Sequence, residues 1–154
     1  MRLTVVAVGK LRPYFREGCD DYRRRLSRFA TVDEVEIREV ARLPEAQQRS
    51  REAGRIEERL PPRARVIALA REGPAWTSES LADRLEGWMR AGKPLAFVIG
   101  GSHGLTDDLL RRADDTWSLG PLTLPHELAR VVVYEQLYRG FTILNRMPYH
   151  KGSA

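Results

Sequence analysis

A glycine-rich segment directly follows a fully apolar run of the chain. Gly100, Gly101 and Gly104 come after the run at positions 95–99, and Thr106 then opens a short helix. Glycines let a ligand approach the backbone closely, and free amides at a turn or helix start can donate hydrogen bonds to it. The Gly-Gly-x-x-Gly spacing differs from the dinucleotide fingerprint, and the lysine of a phosphate-binding loop is missing. The segment therefore predicts either a ligand-binding turn or a tight strand-to-helix turn that binds nothing.

A second segment, residues 117–127, combines leucines with fixed turns. Gly120, Pro121 and Pro125 restrict its path, and leucines line it on both sides of the turns. Such a loop can offer backbone N–H and C=O groups to a planar base held between apolar side chains. The alternative is an ordinary connection that packs its leucines onto the core.

The C-terminal tail contains a third group of residues with chemical potential. Tyr149, His150 and Lys151 follow Pro148 and supply an aromatic ring, a titratable imidazole and a positive charge. Aromatic rings stack on unpaired bases, so the tail suits contact with RNA. A frayed terminus without function is the alternative.

Alternating strands and helices must position these three segments. Apolar runs alternate with amphipathic stretches along the chain, which predicts an α/β fold with a mostly parallel sheet and helices on both faces. The expected strands cover 3–8, 32–40 (with a shift in alternation), 65–70, 95–99 and 116–119. The expected helices cover 13–28, 44–60, 78–92 with Ser78 as N-cap, 106–113 and 126–145. The helix at 44–60 is heavily charged and is expected to lie in solvent. No linker or repeat divides the chain, so residues 1–154 form one predicted domain.

Composition excludes several classes of protein. The 154 residues include one cysteine and three scattered histidines, which excludes an internal disulfide and a cysteine-based zinc site, and predicts no metal. The apolar runs are all much shorter than a membrane span, so we expect a soluble cytoplasmic protein with no membrane partner. The net charge is 26 − 21 = +5, carried by 23 arginines and 3 lysines. The arginines are compatible with a polyanion partner, although a GC-rich genome also favours arginine over lysine.

Six short motifs match one family in order and spacing over essentially the whole chain. They are Ala7-Val8-Gly9-Lys10-Leu11, Tyr22-Arg23-Arg24-Arg25-Leu26, Ile99-Gly100-Gly101-Ser102-His103-Gly104-Leu105, Leu122-Thr123-Leu124-Pro125-His126, Glu135-Gln136-Leu137-Tyr138-Arg139 and Pro148-Tyr149-His150-Lys151. Together they resemble the ribosomal large-subunit pseudouridine N3-methyltransferases, a SPOUT-class (α/β-knot) family.

The resemblance implies a fold, a cofactor and an assembly. It implies a C-terminal trefoil knot, a homodimer, and S-adenosylmethionine bound in a bent conformation within the knot. The cofactor contacts that it implies are Leu69, Gly100, Leu119, Gly120, Pro121, Leu122, Thr123 and Leu124. The sequence departs from the family at Ala70, where the family often has an acidic residue, and at Pro74, where it often has a lysine. It also continues through Gly152-Ser153-Ala154 after the usual Tyr-His-Lys.

The resemblance also implies a reaction, methyl transfer to N3 of a pseudouridine in helix 69 of 23S rRNA. A chain this small is expected to recognise the assembled ribosome. The N3–H group is weakly acidic, so a positioned base or a group that stabilises the developing anion would help. The catalytic candidates are His150 as proton acceptor or orienting group, Tyr149 as a stacking ring and Arg139 as a charge. His126, after the leucine-rich loop, is a further candidate or simply the first residue of a helix.

Two other functions stay open from the residues alone. The chain could be a non-catalytic ribosome- or RNA-binding factor that keeps the fold. It could also be a flavodoxin-like nucleotide-binding domain, which accounts for the glycine-rich segment but leaves residues 122–126 and the tail without a role.

Overall fold

Ten elements alternate along residues 1–151, the part of the chain that the computed structural model describes. The strands are β1 (Arg2–Val8), β2 (Thr31–Ile37), β3 (Arg65–Leu69), β4 (Leu95–Ile99) and β5 (Asp115–Trp117). The helices are α1 (Pro13–Leu26), α2 (Glu45–Arg59), α3 (Ser78–Ala91), α4 (Asp107–Arg112) and α5 (His126–Leu144). The predicted single domain extends to residue 154, so its last three residues, Gly152-Ser153-Ala154, lie outside the described residues.

The five strands form one parallel sheet in the order β2-β1-β4-β3-β5. Strand β4 lies in the middle, and all five of its residues are buried. A strand covered on both faces needs apolar residues at every position, which explains the unbroken run Leu95–Ile99. The prediction of a parallel α/β sheet is confirmed. The order also excludes a flavodoxin-like fold, whose strands run 2-1-3-4-5.

Helices cover both faces of the sheet. Alternate residues of a strand point to opposite faces, so each strand contributes to two cores. On one face, Leu3, Val5 and Ala7 of β1 join a core with side chains of α1, α3 and α5. On the other face, Val6 and Val8 join a smaller core with side chains of α2 and α4.

Helix α5 packs closely against both α1 and α3. The Phe141 ring stacks on Phe29, in the turn that follows α1, with 5.5 Å between centroids. A Cβ added at Gly140 would lie 2.6 Å from Leu85 Cδ1, so this position needs a residue without a side chain. This packing places the start of the C-terminal tail beside α3.

Strand β2 ends earlier than predicted. Its register with β1 is continuous from Thr31 to Ile37, without the expected shift. The predicted strand to residue 40 is wrong because the backbone N–H of Val40 donates to the side chain of Glu52 at 2.9 Å instead of to a neighbouring strand. That contact buries Glu52 on α2, where Ile56 is also fully buried. Helix α2 is therefore anchored to the core more firmly than its charged sequence indicates.

Two other predicted boundaries also move. The N-cap of α3 is Thr77, not Ser78, because the Thr77 hydroxyl accepts from Ser80 N–H at 3.0 Å. Ser78 instead donates from its hydroxyl to Gln136 on α5 at 2.7 Å. Strand β5 ends at Trp117 because the N–H of Ser118 donates to the carbonyl of Pro74, in the loop after β3, at 2.9 Å.

Candidate active site

Three segments implied as cofactor contacts meet at one edge of the sheet. Leu69 is the last residue of β3, Gly100 follows β4, and the segment from Leu119 follows β5. Strand β3 pairs with β4 on one side and with β5 on the other, all in parallel. The carboxyl ends of parallel strands share one edge, and the crevice outside that edge is where open α/β sheets bind ligands. The sheet order therefore brings these distant segments together.

The turn after β4 is tightly closed on itself. Gly101 and Gly104 form an isolated antiparallel bridge, and Gly104 N–H donates to Gly101 O at 3.0 Å. A Cβ added at Gly100 would lie 2.6 Å from the carbonyl carbon of Gly104. Gly100 is thus required for the turn itself. The sequence alone suggested a different reason, space for the ligand.

Ser118 braces the loop after β5. Its hydroxyl lies 3.2 Å from the carbonyl of Arg71 and accepts from the N–H of Gly120 at 3.1 Å. Arg71 in turn donates to the hydroxyl of Thr123 at 2.5 Å. Gly120 has φ +115°, a conformation that side chains rarely tolerate. These contacts tie the loop after β3 to the loop after β5, so the two form one wall.

Within residues 1–151, the backbone N–H groups of Leu122, Thr123 and Leu124 donate to no other residue. The Leu122 side chain is 76% exposed. Free amide donors beside an exposed apolar side chain match what a purine ring and its sugar need, hydrogen bonds at the edge and apolar contact on the face. These residues fit an adenosine-containing cofactor.

The two departures from the family pattern lie in the braced loop after β3. Ala70 is buried, and its backbone N–H donates to Trp117 O at 2.9 Å. Pro74 contributes its carbonyl to the bond with Ser118. Both positions support the wall through backbone atoms, so their side-chain identity does not decide its shape.

A tryptophan cluster supports the wall from behind. Trp76 stacks on Trp117 with 5.4 Å between centroids and an interplanar angle of 11°, and it meets Trp88 edge-on at 6.0 Å. The guanidinium of Arg84 lies 4.3 Å from the centroid of Trp76. The indole N–H of Trp76 is buried and has no acceptor among residues 1–151. The cluster holds the end of β5 in place. The three tryptophans are far apart in the sequence, so the sequence alone does not predict that they pack together.

The tail folds back onto α5. The hydroxyl of Tyr149 donates to Glu135 at 2.8 Å, and its ring meets Tyr138 edge-on at 4.8 Å. Glu135 also accepts from Nη2 and Nε of Arg139, at 2.7 and 3.1 Å. Burial, followed by the bond to Glu135, raises the pKa of Tyr149 above its usual range. The same carboxylate raises the pKa of Arg139. Tyr149 therefore stays a neutral hydroxyl, and Arg139 a fixed cation, at neutral pH.

His150 joins the tail to α3. Its Nδ1 lies 3.0 Å from Nη1 of Arg139, and its Nε2 lies 2.7 Å from Oε1 of Glu79 in the first turn of α3. The hydrogen bond to His150 is the main reason that the pKa of Glu79 lies below its usual range. Since α3 begins after the loop from β3, this contact places the imidazole on the side of the sheet edge where the cofactor segments lie.

The predicted catalytic residues thus form one cluster, except for His126. Glu135 binds both Arg139 and Tyr149, and His150 contacts Arg139 directly. His126 begins α5 and lies against the end of β1, where its Nε2 would be 3.2 Å from a Cβ added at Gly9. Sequence reasoning missed Glu79 and the role of Glu135. The spacing of Glu135 four residues before Arg139 was a usable signal, because such pairs face each other on a helix.

A family model described as "Predicted SPOUT methyltransferase" matches residues 1–150. The chain belongs to the SPOUT methyltransferase family. Membership agrees with the parallel sheet and the converging loops, and it implies the C-terminal knot.

Relatives of this SPOUT methyltransferase match it over nearly their full length. Ribosomal RNA large subunit methyltransferase H of Rubrobacter xylanophilus is 49% identical over 154 residues, covering 97% of this chain and 98% of that protein. The protein of the same name from Anaeromyxobacter sp. is 45% identical over 153 residues, covering 98% of this chain and 100% of that protein. A solved structure, a putative RNA methyltransferase from Bacillus anthracis, covers 99% of both chains with a TM-score of 0.55 and 12% identity, which indicates a shared fold.

Residues 1–151 of this SPOUT methyltransferase contain neither a membrane-spanning helix nor a cluster of metal-ligand side chains. None of the described helices is long and apolar enough to cross a membrane. In the same part of the chain, no three His, Cys, Asp or Glu side chains are grouped so that they could hold a metal ion.

Proposed function

We propose that this protein transfers a methyl group from S-adenosylmethionine to N3 of a pseudouridine in helix 69 of 23S rRNA, on the assembled ribosome in the cytoplasm. The observation that carries the proposal is the meeting of Leu69, Gly100 and the loop 119–124 at one sheet edge, with the tail cluster docked at the adjoining start of α3. The names of relatives 45–49% identical over nearly the whole chain support rRNA as the substrate.

The cofactor is proposed to lie outside the carboxyl ends of β3, β4 and β5. Leu69 and the leucines 119, 122 and 124 would contact the faces of the adenine, and the free amides of 122–124 would bind its edge or the sugar. The turn at Gly100 would close the remaining side. When bound, S-adenosylmethionine supplies the activated methyl group. The chain's own contribution is therefore orientation, which can supply several kcal/mol of the barrier.

The tail cluster is proposed to manage the proton and charge of the base. N3 must lose its proton for the product to be neutral, so an acceptor is needed close to it. His150 is the acceptor, Arg139 stabilises negative charge that develops on the pyrimidine, and Tyr149 stacks on the ring. Arg139 suits its role because Glu135 fixes its guanidinium with two short hydrogen bonds.

A homodimer is proposed for the active form. The resemblance to the pseudouridine N3-methyltransferases, which implies a homodimer, supports this assembly. The tail of one subunit is then expected to complete the substrate pocket beside the other subunit's cofactor. Sedimentation of the purified protein tests the assembly: a particle of twice the 17.6 kDa chain mass is expected, and a monomer would contradict the proposal.

The comparison of wild type with His150→Ala tests the function. Calorimetry with S-adenosylmethionine should give equal Kd values for the two proteins, because His150 lies outside the proposed cofactor wall. Methyl transfer to ribosomes from cells lacking this activity should occur with wild type and fall at least about a hundredfold in the variant. No cofactor binding by folded wild-type protein would contradict the proposal and favour a non-catalytic ribosome-binding factor. Equal transfer by both proteins would remove the role of His150.

A further inference from the structure

The contacts of His150 determine which of its ring nitrogens carries the proton. Nδ1 lies 3.0 Å from Nη1 of Arg139, and a guanidinium nitrogen can only donate. Nδ1 must therefore accept, so the ring proton is on Nε2. Nε2 lies 2.7 Å from Oε1 of Glu79 and donates to it. A doubly protonated ring would place two donors face to face at the Arg139 contact.

We propose that Glu79 is a positioning residue that holds His150 in the Nε2–H tautomer, with Nδ1 as the nitrogen that accepts the N3 proton. This inference rests on the proposed function. A carboxylate that orients an imidazole through one nitrogen and leaves the other basic is a recurrent arrangement in catalysis by histidine. Here the two residues come from different elements, the first turn of α3 and the tail.

Helix α3 gives Glu79 a fixed position. Thr77 caps the helix by accepting from Ser80 N–H, and Ser78 is bonded to Gln136 on α5. Glu79 lies in sequence between Ser78 and Ser80, which these two bonds anchor. A carboxylate on a capped helix can orient a tail more precisely than a loop residue can. Without Glu79, Arg139 alone would restrain the ring, through one contact.

The proton transfer balances with the residues present. The N3–H proton moves to Nδ1 of His150 as N3 forms its bond to the methyl carbon, and the sulfonium sulfur keeps the electron pair of the broken C–S bond. The products are N3-methylpseudouridine, S-adenosylhomocysteine and an imidazolium whose Nε2–H still donates to Glu79. Arg139 must release Nδ1 first. Glu135 holds the planar guanidinium at Nε and Nη2, so Nδ1 is freed by a small movement of the His150 ring away from Nη1.

Nitrogen-15 NMR of the imidazoles tests the tautomer directly, independently of methyl transfer. The chain has three histidines, and His150→Ala identifies the signal of the tail. Wild type should show a protonated Nε2 and an unprotonated Nδ1 for His150 above neutral pH. In Glu79→Ala the single contact with Arg139 should no longer hold the ring, so the ring should turn out of that contact into solvent and show a mixture of the two tautomers. Glu79→Gln should keep Nε2–H because its amide oxygen can accept. A wild-type signal with the proton on Nδ1, or no change in Glu79→Ala, would overturn the proposal.

Turnover on ribosomes tests the consequence for catalysis. Glu79→Ala should lower kcat about tenfold or more, with KM and the cofactor Kd within about twofold, because orientation of the base acts on the chemical step. Glu79→Gln should restore at least about a third of the wild-type rate. Glu86→Gln, which removes an equally exposed carboxylate paired with Arg90 on the same helix, is the matched control and should be unchanged.

The two readouts separate failure of this inference from failure of the proposed function. Wild-type transfer with an unchanged kcat in Glu79→Ala would overturn the positioning role and leave the function standing. A Glu79→Gln rate as low as that of Glu79→Ala, with the tautomer preserved, would also overturn it. No transfer by wild type, with the predicted tautomers observed, would refute the proposed function while the contact of Glu79 with His150 stands.

Discussion

Replacing Gly100 with alanine should reshape the turn after β4 and weaken cofactor binding. The new Cβ would lie 2.6 Å from the carbonyl carbon, 2.8 Å from the oxygen and 3.0 Å from the Cα of Gly104. Carbon atoms in contact prefer about 3.5–4.0 Å, so the two backbone segments must separate by roughly 1 Å. All three contacts are to backbone atoms, which cannot move aside as a flexible side chain can.

The cost follows from the size of this overlap. Forced insertion of a methyl group into a packed site typically costs about 1–3 kcal/mol. If the turn resists, the strain lowers the free energy of unfolding by that amount, or about 2–12 °C in Tm for a chain of this size. If the turn yields, the strain appears on binding, and about 1.4 kcal/mol corresponds to a tenfold rise in Kd.

Calorimetry with S-adenosylmethionine and thermal unfolding together measure both costs. Gly54→Ala is the matched control, since Gly54 lies within α2 and nothing is within 4 Å of an added Cβ. That substitution should raise stability by about 0.5–1 kcal/mol through helix propensity and leave the cofactor Kd unchanged. A Gly100→Ala protein with wild-type Tm and wild-type Kd would refute both the reasoning about the turn and its place in the cofactor site.

Three further predictions follow from buried and paired groups. Burial raises the pKa of Cys19 to about 12, so a thiol reagent at neutral pH should label it in denaturant and leave the native protein unlabelled; rapid native labelling would contradict this. Arg130 is 1% exposed and donates to Glu36, so Arg130→Ala should cost about 3 kcal/mol in urea unfolding, and a loss under 1 kcal/mol would show that the ion pair is dispensable. The backbone N–H of Arg12 is the largest cause of the lowered pKa of Glu127, so a carbon-13 titration of Arg12→Ala should still find that pKa below the usual 4.5. The stability that this carboxylate contributes is present above pH 4.5 and is lost as pH falls through the lowered pKa; a return to 4.5 in the variant would assign the effect to the guanidinium instead.

The sequence predicted the elements well because their local signals agree with their packing. The unbroken apolar run Leu95–Ile99 marks a strand buried on both faces, and the structure places it at the centre of the sheet. Gly92 ends α3 in a left-handed conformation, as a C-terminal glycine should. The predicted end of β2 was wrong because the backbone N–H of Val40 donates to the side chain of Glu52. Sequence periodicity carries no information on such bonds between distant residues.

The order of the strands could not be predicted from local patterns. Periodicity shows that a segment is a strand but does not show which strands pair with it. The position of β4 between β1 and β3 therefore becomes known only from the structure. The candidate site residues were proposed from the resemblance of short motifs to one family, and periodicity did not point to them. Glu79 was missed because an acidic residue in the first turn of a helix is common for reasons of the helix dipole, and its partner lies 71 residues away.

The most direct test of the account is the identity of the methylated nucleotide. Ribosomes from cells lacking the activity are incubated with the purified protein and labelled S-adenosylmethionine, and the 23S rRNA is digested and mapped by mass spectrometry. The proposed function predicts one added methyl group, on N3 of a pseudouridine in helix 69. A methyl group on another nucleotide, or no transfer by a folded protein to competent ribosomes, would contradict it.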